Sequence, residues 1–142
     1  MSAEKILVID DNKDYREDLM EILQFENYTT LGAENGLIGL GMIHRHTPNI
    51  IVCDIDMPVM DGIKVLQTVK ANPAHAKIPF IMVSGHNDRT IINAVSSLGA
   101  ESYLTKPINI EQFLITVSTF CNNGGIEAPM GMLNSQPLLY EG

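Results

Sequence analysis

Asn49-Ile50-Ile51-Val52-Cys53-Asp54-Ile55-Asp56-Met57-Pro58-Val59-Met60-Asp61-Gly62 is the stretch on which the fold turns. Its first half is apolar and β-branched without alternation, which reads as a strand covered on both faces rather than one with a wet side. The run closes on acids, Pro58 breaks it, and Asp61-Gly62 opens a helix around Ile63, Leu66 and Val69. A buried strand, an acidic loop and a helix in that order are half of a βαβ unit.

The same grammar repeats on either side. Similar strand runs occupy 5–10, 80–84 and 102–105, with a weaker candidate at 28–33. Between them the period becomes helical. Tyr15, Leu19, Ile22 and Leu23 form one stripe, Ile91, Ala94, Val95 and Leu98 another, and Ile110, Phe113, Leu114, Val117, Phe120 and Cys121 the clearest. The helix around 37–46 is expected to be the weakest, short or frayed, because Gly39 and Gly41 each cost about 1 kcal/mol relative to Ala. Five βα units predict a doubly wound α/β fold with a five-stranded parallel sheet in the order 2-1-3-4-5. In such sheets ligands bind outside the carboxyl ends of the strands, so the residues there carry the function.

Composition narrows the field. The chain has 142 residues, 45% of them hydrophobic, and 9 Lys+Arg against 17 Asp+Glu give a net charge of −8. That size supports one domain with a real core. The absence of any Lys/Arg cluster argues against direct nucleic-acid binding. No apolar stretch is long enough for a membrane span or a signal peptide, and a cytoplasmic location is expected. Cys53 and Cys121 sit among apolar neighbours and read as small buried hydrophobes, not a disulfide or half a metal site. The domain is expected over 4–121. Residues 122–142 form a linker or tail that opens on Asn122-Asn123-Gly124-Gly125 yet carries Ile126, Met130, Met132, Leu133, Leu138, Leu139 and Tyr140. Such a tail either packs or leads into a further part of a longer chain.

The strand ends converge on one crevice: Asp10-Asp11, Asp54-Ile55-Asp56, Ser84-Gly85 and Thr105-Lys106-Pro107. Taken singly each has a plain explanation. Asp10-Asp11 reads as a helix cap, Lys106 as a surface lysine, and Ser84 as a loop hydroxyl. Together they do not, because adjacent carboxylates raise each other's pKa and need a cation. Oxygen donors in that number suit Mg²⁺. Acids, a hydroxyl and an ammonium in one cleft are the set that holds a metal and a phosphoryl group together.

This set resembles the receiver domain of two-component response regulators over about residues 4–121, through Asp10-Asp11, the whole motif 54–62, Ser84-Gly85 and Lys106-Pro107 after Tyr103-Leu104-Thr105. The resemblance implies a flavodoxin-like (βα)5 fold. It further implies that Asp54 accepts a phosphoryl group from the phosphohistidine of a sensor histidine kinase or a phosphotransfer protein. Asp11 and Asp54 would ligate Mg²⁺, Asp10 would hold it largely through water, and the Asp56 backbone carbonyl would complete the set. Ser84 and Lys106 would contact phosphoryl oxygens, and Lys106-Pro107 would be cis. Ser84 and Tyr103 would form the switch, with the aromatic ring turning inward and altering the face of the fourth helix, fifth strand and fifth helix, including Ile91, Ile92 and Val95. That face would also serve a homodimer. Asp56 and His86 flank the mouth at positions that resemble tuning sites for phosphoryl lifetime, and Asp56 is expected near the line of water attack. Such a chain catalyses only its own phosphorylation and dephosphorylation.

The rival reading is an enzyme. Asp54-x-Asp56 after a buried strand also resembles the nucleophile motif of haloacid-dehalogenase-type phosphatases. That motif normally ends a first strand and needs a later acidic pair, whereas here it ends the third.

Overall fold

The computed structural model describes residues 4–121, so the expectations for the tail at 122–142 lie outside the described residues. Elements alternate as β1 (Lys5–Ile9), α1 (Lys13–Phe25), β2 (Thr29–Ala33), α2 (Gly36–His46), β3 (Ile50–Cys53), α3 (Gly62–Ala71), β4 (Phe80–Ser84), α4 (Arg89–Ser97), β5 (Ser102–Thr105) and α5 (Ile110–Cys121). All strand pairs are parallel and the order is β2-β1-β3-β4-β5, the doubly wound sheet that the sequence implies.

Because successive strand residues point to opposite faces, each strand is divided by parity. Leu7, Ile9, Ile51, Cys53, Phe80, Met82 and Tyr103 pack with Ile43, Val65, Leu66, Val69, Ile92 and Val95 from α2, α3 and α4. Ile6, Val8, Ile50, Val52, Ile81, Val83 and Leu104 pack with Leu19, Leu23, Phe113 and Val117 from α1 and α5. Both cysteines are free and buried, as expected. Burial pushes both thiols up, Cys53 well above its usual value and Cys121 to about 12, so neither is a ready thiolate.

Helix starts follow side-chain capping. Asn12, Asn35, Asp61 and Asp88 each accept a backbone N–H from the first turn of α1, α2, α3 and α4. Asn109 accepts from Gln112 at 2.8 Å at the start of α5. The cap of α1 is therefore Asn12, not the aspartate pair before it.

Three expectations need correction. α2 is not short or frayed but runs for 11 residues. A Cβ on Gly39 would lie 2.5 Å from Ile9 Cδ1, so this glycine lets the helix approach β1, and packing outweighs its poor propensity. In α4 the buried residues are Ile92 and Val95, while Ile91 and Leu98 are half-buried and Ala94 is exposed. The apolar stripe is thus turned toward Ile92, and Ile92 and Val95 belong to the core, not to a partner-facing surface. Ile110, expected inside the α5 stripe, is 53% exposed as the first residue of that helix.

Candidate functional site

The strand ladders continue one residue past β1, β3 and β5. Asp10 N–H donates to Ala33 O at 3.1 Å, Asp54 N–H to Ile9 O at 3.0 Å, and Lys106 N–H to Ser84 O at 2.8 Å. The backbone therefore fixes three candidate site residues as firmly as the sheet itself. By strand parity Asp10, Asp54 and Lys106 follow Val8, Val52 and Leu104 toward the α1–α5 face, and they meet. Lys106 Nζ lies 3.1 Å from Asp10 Oδ2 and 3.5 Å from Asp54 Oδ2, and 4.4 Å from the centre of the Tyr15 ring. Lys106-Pro107 is cis, in agreement with the resemblance.

Carboxylate oxygens of Asp10, Asp11 and Asp54 all lie within 4.8 Å of one another. Asp10 and Asp54 are buried and Asp11 is exposed, so the cluster opens to solvent on the Asp11 side. Three hard oxygen donors, one reachable from water, fit a hydrated Mg²⁺ ion and no soft metal. Asp10 Oδ1 also accepts from Asn12 N–H at 2.9 Å, and Asp54 Oδ1 from Ile55 N–H at 2.8 Å.

The pKa of Asp54 is raised from its usual value. Burial is the main cause, Lys106 opposes it, and Asp10 reinforces it. For Lys106 burial pulls downward, but Asp10 and Asp54 outweigh it and hold the ammonium above the usual lysine value. The lysine is accordingly a permanent cation in the cleft.

Ser84 and Tyr103 follow Met82 and the odd positions of β5 toward the α4 side. Ser84 is fully buried, and its Oγ accepts from His86 N–H at 3.1 Å. The Tyr103 ring already lies inside, 5% exposed, with its hydroxyl donating to His86 O at 2.7 Å. Its pKa is raised, chiefly by burial. Asp56 and His86, expected at the mouth, touch each other: His86 Nε2 is 2.7 Å from Asp56 Oδ2.

Two partners escape sequence reasoning. Tyr15, the first member of the α1 stripe, reads there as a core residue, yet its ring lies under Lys106. Arg16 donates to Asp10 O at 2.7 Å, a loop contact with no signature in spacing.

The model of the response regulator receiver domain family matches residues 6–118. The chain belongs to that family. It is 30% identical over 120 residues to the sporulation initiation phosphotransferase F of Bacillus subtilis, covering 84% of this chain and 95% of that protein. It is 33% identical over 111 residues to a probable chemotaxis protein CheY of Rhizobium etli, covering 76% and 84%. A putative response regulator from Chloroflexus aurantiacus has the same fold, with a TM-score of 0.81 at 25% identity over 84% of this chain and 98% of that one. The receiver is thus that of a two-component response regulator, a signalling module, and the phosphatase alternative is set aside. Receiver domains work with histidine kinases or phosphotransfer proteins, and an acidic cluster of the kind formed by Asp10, Asp11 and Asp54 is their usual Mg²⁺ site. Among the described residues no helix is long and apolar enough to cross a membrane.

Proposed function

We propose that this receiver, formed by residues 4–121, is a cytoplasmic phosphoacceptor switch that takes a phosphoryl group from the phosphohistidine of a sensor histidine kinase or phosphotransfer protein onto Asp54. The observation that carries this reading is a buried carboxylate, fixed by the sheet ladder, with two acids within 4.8 Å and a lysine ammonium 3.5 Å away. An Asp54 oxygen attacks phosphorus, the P–N bond of the donor breaks, and its electron pair stays on the imidazole nitrogen. The transition state is loose and its charge sits on the equatorial oxygens, so positioning and electrostatics do the work. Lys106 supplies a cation already held in the cleft, and Ser84 supplies a hydroxyl once it leaves His86 N–H. Mg²⁺, held by Asp11, Asp54 and the Asp56 carbonyl with Asp10 behind water, would neutralise phosphoryl charge when bound.

Asp56 and His86 set the lifetime of the phosphorylated state. With its side chain 73% exposed, Asp56 has access to water and accepts a proton from the molecule that attacks phosphorylated Asp54. Ser84 and Tyr103 pass the change to the α4-β5-α5 face, where a partner or a second copy docks. With a net charge of −8 this chain does not contact nucleic acid itself.

The test is intact mass after incubation with phosphoramidate, a small P–N donor, with and without Mg²⁺. One phosphate is expected on the wild type in Mg²⁺. Much slower labelling is expected without the ion or in Asp11→Ala, and none in Asp54→Asn. Equal labelling of Asp54→Asn would overturn the assignment.

A further inference from the structure

His86 makes three contacts to three parts of the site. Its N–H donates to Ser84 Oγ at 3.1 Å, its carbonyl accepts from the Tyr103 hydroxyl at 2.7 Å, and its ring Nε2 meets Asp56 Oδ2 at 2.7 Å. Asp56 stands two residues beyond Asp54, and the residue between them, Ile55, donates its N–H to Asp54 Oδ1 at 2.8 Å. A continuous path therefore runs from the Asp54 carboxylate through Ile55 and Asp56 to the His86 ring, and from the His86 carbonyl to the Tyr103 phenol. It bypasses the Ser84 hydroxyl.

We propose that the Asp56–His86 pair is a second link between phosphoacceptor and Tyr103, parallel to the hydroxyl route, with His86 acting as a positioning residue at their junction. The inference rests on the reading that Asp54 is phosphorylated. A phosphoryl group brings a charge of about −1.5 to −2 to Asp54, two residues before Asp56 in the same loop. It repels the Asp56 carboxylate and attracts the imidazole N–H that donates to it. The pair ties the β4–α4 loop to the β3–α3 loop, so a change in it shifts the loop backbone that presents the His86 carbonyl to the Tyr103 hydroxyl. The side chains are 37% and 73% exposed, which sets the size of the effect. A partly exposed pair supports a change of about two- to fivefold in a two-state population, not an all-or-none switch.

The experiment follows NMR shifts of the Tyr103 ring on phosphorylation by phosphoramidate in Mg²⁺, with intact mass confirming the label in each sample. Ser84→Ala is expected to keep a measurable Tyr103 response. Adding His86→Ala or Asp56→Ala to Ser84→Ala should abolish it equally, because either change removes one end of the same pair. His86→Gln, which keeps an N–H donor, should restore part of it. A role for the His86 backbone alone would leave the Asp56→Ala combination responsive and overturn the link. So would a Tyr103 that is silent in Ser84→Ala although the mass label is present. Absence of the label from the wild type would instead overturn the phosphoacceptor reading, and this link with it.

Discussion

Asp54→Asn should make the metal-free protein more stable at neutral pH while abolishing phosphorylation. At an effective dielectric near 20, like charges no more than 4.8 Å apart repel by about 3.5 kcal/mol or more, and Lys106 at 3.5 Å attracts Asp54 by about 4.7 kcal/mol. Asp10 is buried and exerts that repulsion nearly in full, whereas exposed Asp11 exerts much less, so the Coulomb contributions nearly cancel. What remains is the cost of burying the ionised carboxyl, which is also the leading cause of its raised pKa. A neutral amide of the same shape avoids that cost and leaves the shorter Lys106–Asp10 bridge intact. The gain should be about 1 kcal/mol, or about 3–6 °C in Tm for a domain of this size.

The sign with pH follows from linkage. A carboxyl whose folded pKa is raised destabilises the native state fully above that value and not at all below the ordinary 3.8, where both states are protonated. The advantage of Asp54→Asn should therefore shrink as pH falls and vanish near pH 3. Mg²⁺ should reverse it, since the wild type keeps the full donor set and gains about 2.7 kcal/mol at a hundredfold excess over its dissociation constant. Urea titration at pH 7 and pH 3, in chelator and in Mg²⁺, reads all of this. A mutant less stable than wild type in chelator at pH 7, or an advantage that persists at pH 3, would refute the argument.

Gly39→Ala should destabilise by about 1–3 kcal/mol in urea titration despite better helix propensity, because its Cβ meets Ile9, while Gly41→Ala, with open space around it, should stabilise by up to about 1 kcal/mol. Val59, a β-branched residue at φ 71°, should yield about 1 kcal/mol in Tm measurements when replaced by glycine, which adopts that conformation freely. Glu101→Ala should cost about 1–3 kcal/mol in chemical denaturation, since Glu101 accepts from Phe80 N–H at 2.7 Å and pairs with Lys70 at 3.0 Å.

What the sequence discloses is what repeats. Strand runs at 5–10, 49–54, 80–84 and 102–105 fall on four of the observed strands because burial on both faces leaves an unbroken apolar signature. The small excess at 5–10 and 49–54 has a physical basis: Asp10 and Asp54 still donate to neighbouring strands although they no longer count as strand residues. Asp10, Asp54 and Lys106 are legible for the same reason, as each stands at the carboxyl end of such a run. Gly39 misleads because propensity describes a lone helix, whereas its fate is decided by Ile9, thirty residues away in the chain. The Asp56–His86 contact and the left-handed backbone at Val59 are not legible at all. Both arise in loops, where position depends on the whole scaffold and no periodicity reports it.

Strand parity also constrains how any signal must travel. Asp10, Asp54 and Lys106 lie on the α1–α5 face, and Ser84 and Tyr103 on the face toward α4, with the close-packed sheet between them. A packed interior does not deform continuously, so a change at Asp54 cannot pass through the sheet to Tyr103. It must go around the open ends of the strands, where only loop backbone and polar side chains are available. Among the described contacts the groups that bridge this gap are the Ser84 hydroxyl, at the end of β4, and the Asp56–His86 pair, which joins the β3–α3 loop to the β4–α4 loop. The Ser84 hydroxyl reaches both the Tyr103 phenol and His86 N–H, and the pair ends on His86, whose carbonyl holds the Tyr103 hydroxyl. The β4–α4 loop is therefore where chemistry on one face becomes shape on the other, and substitutions in it should alter coupling between labelling and output more than labelling itself.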